Sequence, residues 1–147
     1  VFVIGGDGTE YSSIHNAISL HQIHNVLLMK NLPKLEYDNL LNACDVGLIF
    51  LDKRFTIPNY PSRLLSYMET KIPVLAATDL NTDLGRIMVE NKYGFWVASG
   101  DLEAFNHRLN LLVFDANLRK EMGQNGYQFM LDNYQVSHSY EKIMSKF

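Results

Sequence analysis

Short apolar runs alternate with longer stretches whose apolar residues recur at three- and four-residue spacing. Val1-Phe-Val-Ile4 breaks at Gly5-Gly-Asp-Gly8, and residues 25–29, 46–51, 74–77 and 94–97 are further runs of the same kind. Runs of that length without polar alternation predict strands buried on both faces. Between them, Ile14, Ala17 and Ile18 predict a helix over 10–23, and Leu40, Leu41 and Cys44 one over 35–44. Leu64, Leu65 and Met68 predict a helix that Pro61 opens and Pro73 ends. Leu84, Ile87 and Met88 place one over 83–91, and Leu102, Phe105, Leu109 and Leu112 one capped by Asp101. Leu118, Met122 and Met130 mark a helix over 117–133. Tyr140, Ile143, Met144 and Phe147 mark a last one, with Ser137 as its expected cap. The alternation predicts an α/β, Rossmann-like fold: a mostly parallel sheet with helices on both faces.

Composition narrows the partners more than the fold. The 147 residues suffice for a single domain over 1–147, with no repeat, low-complexity segment or linker. The net charge of −3 without a basic run speaks against nucleic acid and against an anionic membrane surface. Cys44 stands alone, so no internal disulfide forms, which fits a reducing compartment. No apolar run approaches the roughly 20 residues of a membrane helix. The chain opens on Val1 inside an apolar run and without a start Met. The expectation is a fragment of a longer protein.

In parallel sheets ligands bind outside the carboxyl ends of the strands. The glycine turn at 5–8, the turn at 29–33 and the loops at 52–60 and 78–83 belong to that end. Asn59 precedes the helix opened by Pro61, and Ser62 and Arg63 lie in its first turn. A hydroxyl and a guanidinium beside free helix N–H groups form a phosphate seat; a capped helix with an exposed Arg is the ordinary alternative. Gly6-Asp-Gly8 matches part of a dinucleotide fingerprint, but Tyr11 takes the place of the third glycine, so a tight strand-to-helix turn is the better reading. Either way a ligand can approach the backbone closely. His21 and His24 lack a third ligand nearby, and no Asp-x-Asp pair, phosphate loop, nucleophile elbow or paired carboxylates of the glycosidase kind occur. Asp79 and Asp83 flank a turn as caps, with sugar hydroxyls as the alternative use; Phe95 and Trp96 read as packing.

A set of motifs then comes in a familiar order: Ile4-Gly-Gly-Asp-Gly-Thr-Glu10, Asn25-Val with Leu32-Pro33, and Ala43-Cys-Asp45-Val-Gly-Leu48. Pro61-Ser-Arg-Leu-Leu-Ser-Tyr-Met68, Pro73-Val-Leu-Ala76, Gly94-Phe-Trp-Val97, Asp101, Leu118-Arg-Lys-Glu-Met-Gly123 and Tyr134 follow. Over the whole chain this set resembles the C-terminal, donor-binding domain of GT-B-fold glycosyltransferases of the large retaining family four. Within it the chain looks most like the bacterial surface-polysaccharide enzymes with a Pro-Ser-Lys/Arg-Leu block. The resemblance implies a two-domain parent that moves a sugar from a nucleotide-diphosphate donor to a glycan or lipid-linked acceptor, without a metal or other cofactor. It assigns the diphosphate to Ser62 and Arg63 with Gly6 and Gly8, and the base to Met29, Lys30 and Leu32. Ribose or sugar contacts fall to Ser66, Glu69 and Asn59.

Two departures qualify that carry-over. The family carries a Glu-x7-Glu pattern whose second Glu binds the ribose; here Ser66 stands in its place and Pro58 in that of the first. Either Glu69, three residues on and on roughly the same helix face, substitutes, or Ser66 itself does so with weaker bonding. The family domain also begins with one more strand and helix, so this chain is expected to leave a gap mid-sheet, which either its neighbouring strands close or another copy of the chain fills by self-association. The acceptor domain, with the catalytic residues, is absent, so the chain alone is expected to be inactive. A cytoplasmic parent with peripheral membrane contact completes the expectation. The rivals are a nucleotide-sugar epimerase of the same fold and a non-catalytic interaction domain that has lost the site.

Overall fold

Five short strands alternate with helices in the computed structural model, which describes residues 1–55, 57 and 60–146, with backbone alone at 138 and 139. The chain forms two compact units, Val1–Asn42 and Ala43–Phe147.

In the first unit β1 (Phe2–Gly5) and β2 (Val26–Met29) pair in parallel, from Phe2 opposite Val26 to Gly5 opposite Met29. α1 (Tyr11–Leu20) joins them and α2 (Lys34–Asn42) follows. Both helices are shorter than the periodicity predicts. α1 stops at Leu20 because Gln22 turns left-handed (φ 49°), and the Ile23 N–H closes the end on the Ile18 carbonyl. α2 stops at Asn42, so Cys44 lies beyond the helix that was expected to carry it inward, and is half-buried there. Among the described residues of this unit only Leu41 is a buried apolar side chain, while Val3, Ile4 and Leu27 are 36%, 39% and 50% exposed.

The second unit holds the main core. β3 (Gly47–Phe50), β4 (Val74–Thr78) and β5 (Gly94–Ala98) form a parallel sheet in the order β3-β4-β5. Every residue of the central strand β4 is buried. On one face Ile49, Val74 and Ala76 meet Leu64 and Met68 of α3 (Arg63–Glu69) and Leu84 and Met88 of α4 (Leu84–Glu90). On the other, Leu75 with Leu48 and Phe95 meets Leu112 of α5 (Leu102–Phe114) and Met122 of α6 (Ala116–Asn133). The sheet is thus covered on both faces, as parallel sheets require. Each fully buried Leu or Met contributes about 1.5–3 kcal/mol.

The helix ends follow capping chemistry. The Asp101 carboxylate accepts from the Ala104 N–H at 3.0 Å, as expected, and Asp115 does the same for Leu118 at 2.8 Å. α3 ends at Glu69; past it Lys71 turns left-handed (φ 58°), the Ile72 N–H reaches the Tyr67 carbonyl, and Pro73 leads into β4. The last helix, α7 (Val136–Met144), corrects the sequence reading: extended Gln135 precedes it, and Ser137 is its second residue rather than its cap. Its Val136, Tyr140, Ile143 and Met144 are exposed, and Phe147 lies outside the described residues.

No hydrogen-bonded pairing joins the two sheets among the described residues. Among the described residues β1 pairs with β2 alone, and β3 with β4 alone.

Candidate functional site

The second unit has an open cleft at the carboxyl end of β3, lined by Ile49, Phe50, Leu51, Pro61, Ser62 and Arg63. Two elements build it. β3 ends at Phe50, and the Leu51 N–H still bonds to the Ala77 carbonyl at 3.0 Å, which holds the strand end against the central strand. Opposite, Pro61 is buried and the chain turns tightly into α3. The Leu64 N–H donates to the Pro61 carbonyl at 2.9 Å and the Leu65 N–H to the Ser62 carbonyl at 3.2 Å. These short-range bonds make the first turn 3₁₀-like, so α3 proper starts at Arg63, two residues after the predicted Pro61.

Ser62 and Arg63 are exposed at this corner. Ser62 occupies the N-cap position in helical conformation, and its hydroxyl makes no capping bond. Arg63 has neither an ion pair nor a hydrogen-bonded side chain among the described residues. The other four arginines are engaged. Arg54 grips Asp52 with two bonds of 2.8 Å and holds that carboxyl far below the usual carboxylate range. Arg86 bridges Asp83 and Glu90, Arg108 lies 4.9 Å over the Phe95 ring, and Arg119 ties the Leu112 carbonyl to Asp45. Arg63 is therefore a cation beside a cleft with its donors unspent.

Farther along α3, Ser66 is half-buried, and its carbonyl accepts from the Thr70 N–H and hydroxyl. Glu69 is exposed as the last residue of the helix, about 9 Å along the axis from Arg63. Asn59, like Pro58, lies outside the described residues. Asp79 behaves as the cap that the sequence suggests: it is buried, and its carboxylate accepts from the N–H groups of Asn81 and Thr82 and from the Thr82 hydroxyl. Burial works to raise this carboxyl, but those bonds outweigh it and hold it below the usual range. Asp83 makes no cap bond and pairs with Arg86 instead. Trp96 is a packing residue whose indole N–H donates to the Thr78 hydroxyl at 2.9 Å.

The first unit brings its own predicted residues together. The Gly6 N–H donates to the Met29 carbonyl at 3.1 Å, so the glycine turn and the turn after β2 meet at one sheet end. Lys30 is exposed and Leu32 half-buried there. A Cβ built on Gly5, Gly6 or Gly8 would meet nothing within 4 Å. Protein packing therefore does not demand glycine at Gly8, whereas close approach of a ligand would. The sequence reading missed the aromatic packing behind the cleft, where Tyr60 lies 5.5 Å from Tyr134, because tyrosines 74 residues apart carry no local signal. Among the described residues, no three His, Cys, Asp or Glu side chains gather as a metal site.

A family model described as glycosyl transferases group 1 matches residues 1–129. No curated protein matches the chain. Among solved structures, HepE of Anabaena in complex with UDP-glucose superposes with a TM-score of 0.77 at 18% identity, over 98% of this chain and 39% of that one. Sucrose-phosphate synthase from Thermosynechococcus elongatus gives 0.71 at 15% identity, over 99% and 38%. WaaG, a glycosyltransferase involved in lipopolysaccharide biosynthesis, gives 0.64 at 18%, over 91% and 34%. The chain spans less than two fifths of each of these structures. Its architecture is that of the C-terminal half of GT-B glycosyltransferases.

Proposed function

Because the chain belongs to the glycosyl transferases group 1 family, we propose that it is the donor half of a glycosyltransferase and holds the nucleotide diphosphate of a sugar donor. The observation that carries this reading is Arg63, an exposed guanidinium without a partner among the described residues, beside Ser62 on a cleft at the carboxyl end of β3. A guanidinium can grip two phosphate oxygens at once. A fixed cation there offsets the charge of a nucleoside diphosphate leaving group, which is the task of this half of such an enzyme. Gly6 and Gly8 supply close backbone approach, and Met29, Lys30 and Leu32 the wall for the base. Ser66, Asn59 or Glu69 serves the ribose or sugar, Glu69 only if the ligand reaches the far end of α3.

Uridine is the base to try first, since HepE was solved with UDP-glucose. The acceptor, a glycan or lipid-linked sugar in surface-polysaccharide synthesis with retention of configuration, belongs to the other half of the parent. A cytoplasmic parent touching the membrane through that half fits the use of nucleotide sugars. The test is calorimetric titration with uridine diphosphate. Arg63→Ala should weaken binding by roughly 10- to 100-fold, the value of one or two charge-assisted bonds. It should leave the melting temperature nearly unchanged, because the side chain is exposed and unpaired. Equal affinity of the variant and the parent chain sinks the assignment.

One observation favours a second reading. Ser66 offers one neutral oxygen to the ribose where a carboxylate offers two charged ones, which suits an interaction domain that has lost its site. A full-length protein that binds no nucleotide supports that reading. One that makes a new sugar nucleotide without any acceptor is an epimerase.

A further inference from the structure

Tyr60 immediately precedes the corner that presents Ser62 and Arg63, and its ring is packed against the core formed by Leu64, Met68 and Tyr93. It lies 5.5 Å from the ring of Tyr134, the residue that ends α6. Tyr134 meets Phe129 edge-on at 5.8 Å, and Phe129 lies 5.3 Å from Tyr93. The chain of rings continues a close helix contact. Gly123 backs onto the carbonyl of Lys71, just past the end of α3, and Gly126 faces Met68 and Tyr93. Thus α6 runs antiparallel to α3 from Lys71 back towards Tyr60, and Tyr134, which caps its end, sits behind the corner. The hydroxyl oxygens of Tyr60 and Tyr93 are both buried without a hydrogen-bond partner among the described residues. Burial drives Tyr60 far above the ordinary tyrosine range and Tyr93 up to about 12. The rings, not the hydroxyls, therefore make the useful contacts.

We propose that Tyr60 and Tyr134 form an aromatic clamp by which the end of α6 positions the Ser62–Arg63 corner, making Tyr60 a positioning residue for the anion that Arg63 receives. The proposal rests on the diphosphate reading above for its ligand, but not for its mechanics. Ser62 and Arg63 are exposed and make no side-chain bonds among the described residues, so the orientation of the corner comes from what is anchored on either side of it. Leu64 anchors the far side, fully buried; Pro61 and Tyr60 anchor the near side. Tyr60 is held by the ring of Tyr134 at the end of a different helix. Fixing a binding group in its bound geometry lowers the ordering cost of binding, so the clamp contributes affinity without touching the ligand.

The test compares Tyr60→Ala, Tyr134→Ala and Tyr60→Phe, each alone, and Tyr60→Ala combined with Arg63→Ala. Without ligand, amide order parameters at Ser62 to Leu64 should stay near the rigid value of about 0.85 in the parent chain and in Tyr60→Phe. They should fall below about 0.6 in the two alanine variants, while β4 stays rigid. With uridine diphosphate as probe, either alanine variant should weaken binding by about tenfold, and Tyr60→Ala should cost nothing further once Arg63 is already Ala. Unchanged order parameters at the corner overturn the clamp. So does a loss of rigidity spread equally over β4, or an affinity loss that simply adds to that of Arg63→Ala. If Arg63→Ala alone leaves the affinity unchanged, the diphosphate reading fails, and the order parameters alone decide the clamp.

Discussion

Asp79 shows how one buried carboxylate shapes the mouth of the sheet. Its three accepted bonds shape the turn at 79–82, and they hold its carboxyl below the usual range against the pull of burial. A depressed pKa means that the group stabilises the fold above the ordinary carboxylate value of about 4, and that this contribution is lost as the pH falls through the lower folded value. Asp79→Asn should therefore melt lower than the parent chain at about pH 7, with the difference shrinking towards about pH 2; a difference independent of pH would contradict the assignment. Gly8 makes the opposite case. Open space surrounds a Cβ there, so Gly8→Ala should change stability by no more than about 0.5 kcal/mol. It should nevertheless weaken nucleotide binding in a calorimetric titration if the ligand approaches that backbone. Both Asp79 and the glycine turn are legible in the sequence, because their chemistry is local. That Arg63 is left without a partner among the described residues is not, because it depends on where every carboxylate ends up.

Among elements, α6 carries most of what the sequence conceals. Its apolar spacing predicts a helix over 117–133, and the helix spans Ala116–Asn133. Gly123 and Gly126 look like weaknesses in such a helix. In the fold they are its contact surface, since the backbone of Lys71 and the side chains of Tyr93 and Met68 come up against them. A methyl group at Gly123 runs into the Lys71 carbonyl, which as backbone cannot swing aside. Gly123→Ala should cost at least about 1–3 kcal/mol and lower the melting temperature by roughly 4–10 °C in a thermal scan. A variant as stable as the parent chain would mean that α6 does not seat against α3 as described. The strands and helix types are readable from periodicity, and the misplaced ends have physical causes. Gln22 and Lys71 take left-handed conformations that apolar spacing does not encode, and the 3₁₀-like turn after Pro61 delays α3 to Arg63.

At the scale of the whole molecule, the alternation of strands and helices led directly to a parallel α/β architecture, and the structure has it. The division into a two-stranded and a three-stranded sheet among the described residues is not legible in periodicity. Periodicity reports how each run is buried, not which runs become neighbours. The consequence is uneven burial: β4 is wholly buried, while β1 exposes Val3 and Ile4 with no second neighbour. The residues proposed to hold diphosphate and base lie at the carboxyl end of β3 in the second unit and at the glycine turn and the turn after β2 in the first. The measurement that tests the central claim most directly is an amide-shift titration with uridine, guanosine and thymidine diphosphates. The account predicts shifts gathered at residues 5–8, 29–32 and 59–66 that saturate for one of the three bases. Absence of shifts at those residues with all three, in this chain and again in the full-length parent, would contradict it.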